Sequence, residues 1–228
     1  MSSLSLLVPP QHTNQRRHQL YAHNLLHLKQ GERGYDVAWS HFIDNPINST
    51  KLCYMQRGEV CSDSIKELSN AGRTLEQPIR NGPKFDALVR TRPVGAEIGF
   101  LEVGKENAAS FASKVLKDCA KLVSQGMRAA IVRNSKVSPN WRAHRVVGVQ
   151  ISGNSISLHN QIEFANSTGF VLRIYEMSYG GGLFTVLARR QPIQLPQDYD
   201  PVAFRQLLDE AATLRVSLLD IISSSSPF

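Results

Sequence analysis

The stretch KFDALVRTRPVGAEIGFLEVGKEN, residues 84–107, decides how this chain is read. Phe85-Asp86-Ala87-Leu88-Val89 is an apolar run with one carboxylate near its start, as a strand would carry it. Arg92-Pro93-Val94-Gly95 has turn chemistry, and Glu97 to Val103 forms a second extended run. The pair therefore reads as a β-hairpin bearing Asp86, Glu97 and Glu102, closed by Lys105. Two interpretations compete. One is an acidic, metal-binding nuclease centre with its lysine, and the other is an ordinary hairpin with charged edges.

The nuclease interpretation has a chemical basis. Phosphodiester cleavage needs carboxylates that hold Mg²⁺ or Mn²⁺ beside the scissile phosphate, and a lysine that orients water or stabilises developing charge. Asp86 on one strand and Glu102 on the next supply the carboxylates. Lys105 comes three residues after Glu102, so a strand period of two turns it toward the face of Glu97. A bulge at Gly104 would return it to the face of Glu102. On the plainer interpretation Glu97 is a structural or edge charge, and Lys105-Glu106 begins a helix. Glu102 fits that poorly, because Ile98, Phe100, Leu101 and Val103 surround it. A carboxylate buried in such a run is costly without a cation or donors close by.

Downstream of the hairpin the apolar period lengthens. Phe111, Val115, Cys119, Leu122 and Val123 predict an amphipathic helix over about 107–125, with Gly126 near its stop. Strands are expected at 145–152 and 155–163, joined at Gly153-Asn154, and at 169–177 and 183–188 around Gly180-Gly181-Gly182. Asp200-Pro201 caps a last helix with the stripe Phe204, Leu207, Leu208, Ala211, Leu214, Leu218, Ile221 and Ile222. The order β-β-α-β-β-β-β-α makes an α+β domain, with a mixed, largely antiparallel sheet flanked by helices.

Four segments are expected. A flexible basic segment occupies 1–35, and a partly helical lead-in 36–80, in which Ser62-Asp63-Ser64 caps a short helix through Ile65 and Leu68. The core covers 81–222, and 223–228 is a disordered tail.

Composition sets the outer bounds. The 228 residues suit one sizeable domain with an appendage, or two small ones. Lys plus Arg number 26 against 19 acidic residues, a net charge of +7 that favours a polyanionic partner such as nucleic acid. No apolar run reaches bilayer length, and the start MSSLSLLVPP lacks a secretory signal's basic and apolar regions. Cys53, Cys61 and Cys119 have no tight spacing and read as reduced thiols of an intracellular protein, nuclear or cytoplasmic. A homo-oligomer stays open.

The sequence Asp, hairpin, Glu, Lys, helix resembles the core of the restriction-endonuclease-like, or PD-(D/E)XK, nuclease superfamily. More narrowly, EIGFLEVGKEN, KVLKDC and VVGVQISGNSISL resemble a group of uncharacterised proteins of mucoralean and related early-diverging fungi. The resemblance runs from about Phe85 to Ile222. It implies a restriction-endonuclease-like core in which Asp86 and Glu102 are metal ligands and Lys105 is the catalytic lysine, with Mg²⁺ or Mn²⁺ as cofactor. Glu-Val-Gly-Lys stands here where the superfamily has Glu-x-Lys. A catalytically inactive domain of the same fold, binding nucleic acid or protein, is the competing class.

Charge placement adds candidate phosphate contacts. Lys114, Lys117 and Lys121 share one helix stripe, Arg90 and Arg92 flank the hairpin turn, and Arg142 and Arg145 follow the helix. A solvated face explains the same stripe without a ligand. Other motifs fall short. His23 and His27 lack the Glu that a zinc protease needs, and the glycine run is followed by no Gly-Lys-Ser/Thr.

Overall fold

A computed structural model describes residues 43–104, 111–137, 144–153, 170–180, 183–188, 193–195 and 200–225. In chain order these form β1 (Cys53–Cys61), α1 (Asp63–Asn70), β2 (Lys84–Thr91), β3 (Glu97–Val103) and α2 (Phe111–Ala120). A π-helical segment (Lys121–Met127) and α3 (Arg128–Val137) follow. The chain continues with β4 (Arg145–Gly153), β5 (Phe170–Gly180), β6 (Leu183–Ala188), β7 (Ile193–Leu195) and α4 (Pro201–Ser225).

The strands build one seven-stranded sheet in the order β1-β2-β3-β4-β5-β6, with β7 paired to β5 beside β6. Only β3 and β4 run parallel, joined by the helical crossover that parallel neighbours require. The α+β, largely antiparallel expectation is met. The sheet is wider than expected, because β1 lies within the 36–80 lead-in and adds an edge strand antiparallel to β2. Gly58, at φ +88°, falls where the β1–β2 register shifts between Arg57 and Val60, as a glycine bulge allows.

All seven residues of β3 are buried, as suits a central strand covered on both faces. Its alternate side chains feed two cores. Ala87, Val89, Leu101 and Val103 pack with Leu207, Leu214, Leu218 and Ile221 of α4, together with Ile43 and Ile47 from a helical stretch at 43–48. On the other face Phe85, Leu88 and Phe100 meet Leu122, Met127 and Ile131 of the crossover. The result is a helix–sheet–helix stack with the β2–β3 hairpin in its middle layer.

The crossover departs from expectation. Gly126 does not stop the helix, because the chain passes through the π-helical segment directly into α3, which the apolar pattern did not predict. The glycine instead gives the crossover close access to the sheet. A methyl group there would lie 2.8 and 3.0 Å from Phe100 ring carbons and 3.0 Å from Phe85 Cζ.

At the other end, α4 starts as read. Asp200 Oδ1 accepts from Val202 N at 2.9 Å, and Pro201 opens the first turn. The helix continues to Ser225, into the stretch expected to be disordered. The strand expected at 155–163, the N-terminal segment 1–35 and the His23–His27 pair lie outside the described residues. No helix among the described residues is long and apolar enough to cross a membrane.

Gly126→Ala tests the crossover packing. Helix propensity favours alanine by up to about 1 kcal/mol, whereas overpacking a filled core costs about 1–3 kcal/mol. We expect a net loss of about 1–2 kcal/mol in urea unfolding. A gain would show that the rings yield freely.

Candidate active site

The β2–β3 register pairs Ala87 with Leu101, so one residue further along Asp86 stands across from Glu102. Asp86 Oδ2 accepts from Val103 N at 2.6 Å, which ties its carboxylate to the end of β3. The row continues across the sheet, since Glu102 pairs with Gln150 on β4, and Gln150 with Arg173 on β5. Cross-strand partners point to the same face, so Glu102, Gln150 and Arg173 lie on the side covered by α2 and the π-helical segment.

Glu102 is 4% exposed. Its neighbour is a cation from the crossover. Lys121 Nζ lies 2.5 Å from Glu102 Oε1, 2.8 Å from the Lys84 carbonyl oxygen to which it donates, and 5.2 Å from the centre of the Phe85 ring. The ammonium approaches Oε1 closely without the direction of a well-formed hydrogen bond. Asp118, one turn before Lys121, adds a carboxylate nearby. Its Oδ2 is 3.8 Å from the place a Cβ would take at Gly104.

These surroundings act on Glu102 in opposite directions. Burial pushes its carboxyl up most, Lys121 pulls it down, and the negative charges of Asp86 and Asp118 raise it further, to a pKa of about 8. Desolvation and like charge outweigh the ammonium. The site therefore holds a proton at neutral pH, at the carboxylate that the hairpin pattern singled out.

Glu97, the other acidic residue of the strand, has a different task. It is fully buried and accepts from Ser62 Oγ at 2.7 Å, Asp63 N at 2.8 Å, Ser64 N at 3.2 Å and Arg90 Nη2 at 3.1 Å. The Ser62 hydroxyl also accepts from Ile65 N, the N-cap expected from Ser62-Asp63-Ser64. Glu97 thus anchors the start of α1 to the sheet, where backbone N–H groups and the helix dipole favour an anion.

The remaining sequence candidates scatter. Lys105 and Arg142 lie outside the described residues. Arg90 is committed to Asp63 and Glu97, at 3.0 and 3.1 Å. Arg92 rests over the Tyr54 ring at 4.9 Å. Arg145 bridges Glu176 and Asp220. These three arginines sit at the far end of the sheet from Glu102. Arg92 is six residues along from Asp86, a span of about 20 Å at 3.3 Å per residue. Of the lysine stripe, Lys117 is exposed, Lys114 is half-buried and Lys121 turns inward. Among the described residues, these side chains do not gather into one basic face.

Lys121 is the residue whose role sequence reasoning missed. Helical spacing grouped it with solvent-facing lysines, and its attachment to Glu102 depends on how the crossover lies over the hairpin. The one available signal was Glu102 itself, a carboxylate in an apolar run that needed a cation.

Comparison with protein families, curated proteins and solved structures finds no match.

The carboxyl of Glu102 makes stability depend on pH. A carboxyl whose folded-state pKa is raised favours the fold when protonated, so its contribution is full below about pH 4.5 and is lost as the pH climbs to about 8. Urea midpoints measured across that window should fall with pH more steeply in the native chain than in Glu102→Gln. Parallel profiles would mean that the carboxyl ionises at its ordinary value.

Proposed function

We propose that this chain is a metal-dependent phosphodiesterase acting on nucleic acid, with a restriction-endonuclease-like core. The observation that carries the reading is the β2–β3 register, which sets Asp86 across from Glu102, with the Lys121 ammonium 2.5 Å from Glu102. The architecture supports it. An antiparallel β1-β2-β3 meander followed by a helical crossover to a parallel β4 agrees with the core that the hairpin motif resembles.

The donor set bears on the cofactor. No group of three or more His, Cys, Asp or Glu side chains among the described residues forms a metal cage. Two carboxylates nevertheless fit Mg²⁺ or Mn²⁺. These ions prefer oxygen ligands, and Mg²⁺ commonly binds through one or two carboxylates plus substrate phosphates. Asp86 and Glu102 would hold the ion, which when bound polarises the phosphoryl group and neutralises its charge.

The chain's own groups do the rest. To serve as a ligand, Glu102 would act as its carboxylate, with its proton passing to solvent. Lys121, released from Oε1, turns its ammonium toward a non-bridging phosphate oxygen and stabilises the charge that develops there. The Lys84 carbonyl and the Phe85 ring hold the ammonium beside Glu102. Lys121 thereby takes the part that the resemblance assigns to Lys105.

A second reading has its own support. Lys121 already compensates Glu102, as a purely structural ion pair would in a non-catalytic domain that binds nucleic acid or protein.

Cleavage assays on plasmid DNA and on structured RNA, with Mg²⁺ and with Mn²⁺, separate the two. We expect metal-dependent cleavage that disappears in Glu102→Gln and Asp86→Asn and falls about 10²–10³-fold in Lys121→Met. No cleavage by the native chain, or cleavage unchanged in folded variants, would overturn the catalytic reading.

A further inference from the structure

Arg173 completes the cross-strand row at its β5 end. Gln150 is its register partner, which sets it two strands from Glu102 on the same face of the sheet. At a strand spacing of about 4.8 Å, the row from Glu102 to Arg173 spans about 10 Å. Arg173 is half-buried, and its Nη1 donates to Ser152 Oγ at 2.7 Å. Ser152 is 1% exposed and lies beside Gly104, which follows the last residue of β3 and is two positions past Glu102.

Its partners differ from those of the other arginines of the sheet. Arg57 pairs with Asp44, Arg90 with Asp63 and Glu97, and Arg145 with Glu176 and Asp220. Among the described residues no carboxylate pairs with Arg173, and its one fixed hydrogen bond goes to a neutral hydroxyl. Burial lowers the Arg173 pKa, the direction expected of a cation removed from water without an anion to compensate it. A guanidinium has five donors in a planar fork that suits an oxyanion, and one hydroxyl uses only part of that capacity.

We propose that Arg173, with the Ser152 hydroxyl, is a phosphate-binding subsite that holds the nucleic-acid backbone beside the Asp86–Glu102 pair. The subsite fits a phosphodiester group of the chain being cut, adjacent to the one at Glu102. A flexible strand with a charge on every nucleotide covers the roughly 10 Å between them. Gln150 between the two ends is already committed. Its Nε2 donates to the Val115 carbonyl at 2.9 Å, and its Oε1 accepts from Tyr175 OH at 3.2 Å. It spaces the acidic and basic ends of the row while tying α2 to the sheet. The role as a substrate subsite rests on the phosphodiesterase reading, whereas the anion binding itself does not.

The test is equilibrium binding of a single-stranded oligonucleotide to the full chain in EDTA, across a salt series, with inorganic phosphate as a second probe. Working without divalent metal separates this subsite from the catalytic reading, which is judged by cleavage alone. Arg173→Gln should weaken oligonucleotide binding about tenfold and lower the salt slope by about one, because one phosphate contact is lost. Arg173→Lys should restore the slope, because the charge returns.

Unchanged affinity and slope in a folded Arg173→Gln would overturn the proposal. If the glutamine variant does not fold, the lysine variant carries the test, and a native slope with weaker affinity supports the subsite. Binding of inorganic phosphate without the oligonucleotide would overturn the assignment to a nucleic-acid backbone.

Discussion

A carboxylate inside an apolar sheet is the constraint around which this structure is arranged. Glu102 is the penultimate residue of β3, a strand buried along its whole length, and burial alone would make its charge untenable. The answer comes from the opposite layer, where the crossover brings Lys121 onto its oxygen. That contact needs the helices close to the hairpin, and closeness needs Gly126, since a larger residue would strike Phe100 and Phe85. The π-helical winding of Lys121–Met127, the aromatic pair beneath it and the Lys121–Glu102 contact form one unit. Segments of π-helix recur at functional sites, and this one begins at the lysine that reaches the carboxylate.

The two glutamates of β3 show how one strand serves two ends. Glu97 meets a complete set of donors from Ser62, the start of α1 and Arg90, and it holds the hairpin against its neighbour. Glu102, five positions along the same buried strand, has a single cation and two like charges, and keeps its proton. A saturated carboxylate suits structure. An under-compensated one suits chemistry, because its protonation can change when a ligand arrives.

Much of the hairpin was legible because strand periodicity is local. Alternation along 84–91 and 97–103 placed both strands, and Ser62-Asp63-Ser64 announced the cap of α1 through side-chain chemistry that needs no tertiary context. What stayed hidden depends on contacts distant in sequence. Lys121 read as a solvent-facing lysine because its partner lies nineteen positions away across a layer. The anchoring of Glu97 draws on residues more than thirty positions upstream. β1, CYMQRGEVC, escaped because an edge strand tolerates polar residues and a glycine bulge, which blurs its alternation. Arg173 sits in a readable strand, yet only the register of four strands aligns it with the acidic pair.

The central claim is that Glu102 exchanges a proton for a metal ion, and calorimetric titration of the full chain with Mg²⁺ and Mn²⁺ at pH 7 tests it most directly. Repeating the titration in buffers of different ionisation enthalpy counts the protons released. The account predicts binding that releases about one proton per ion, from a carboxyl whose pKa is about 8 in the free protein, with both binding and release lost in Glu102→Gln. Absence of binding, or binding that survives the substitution with no proton released, would contradict it.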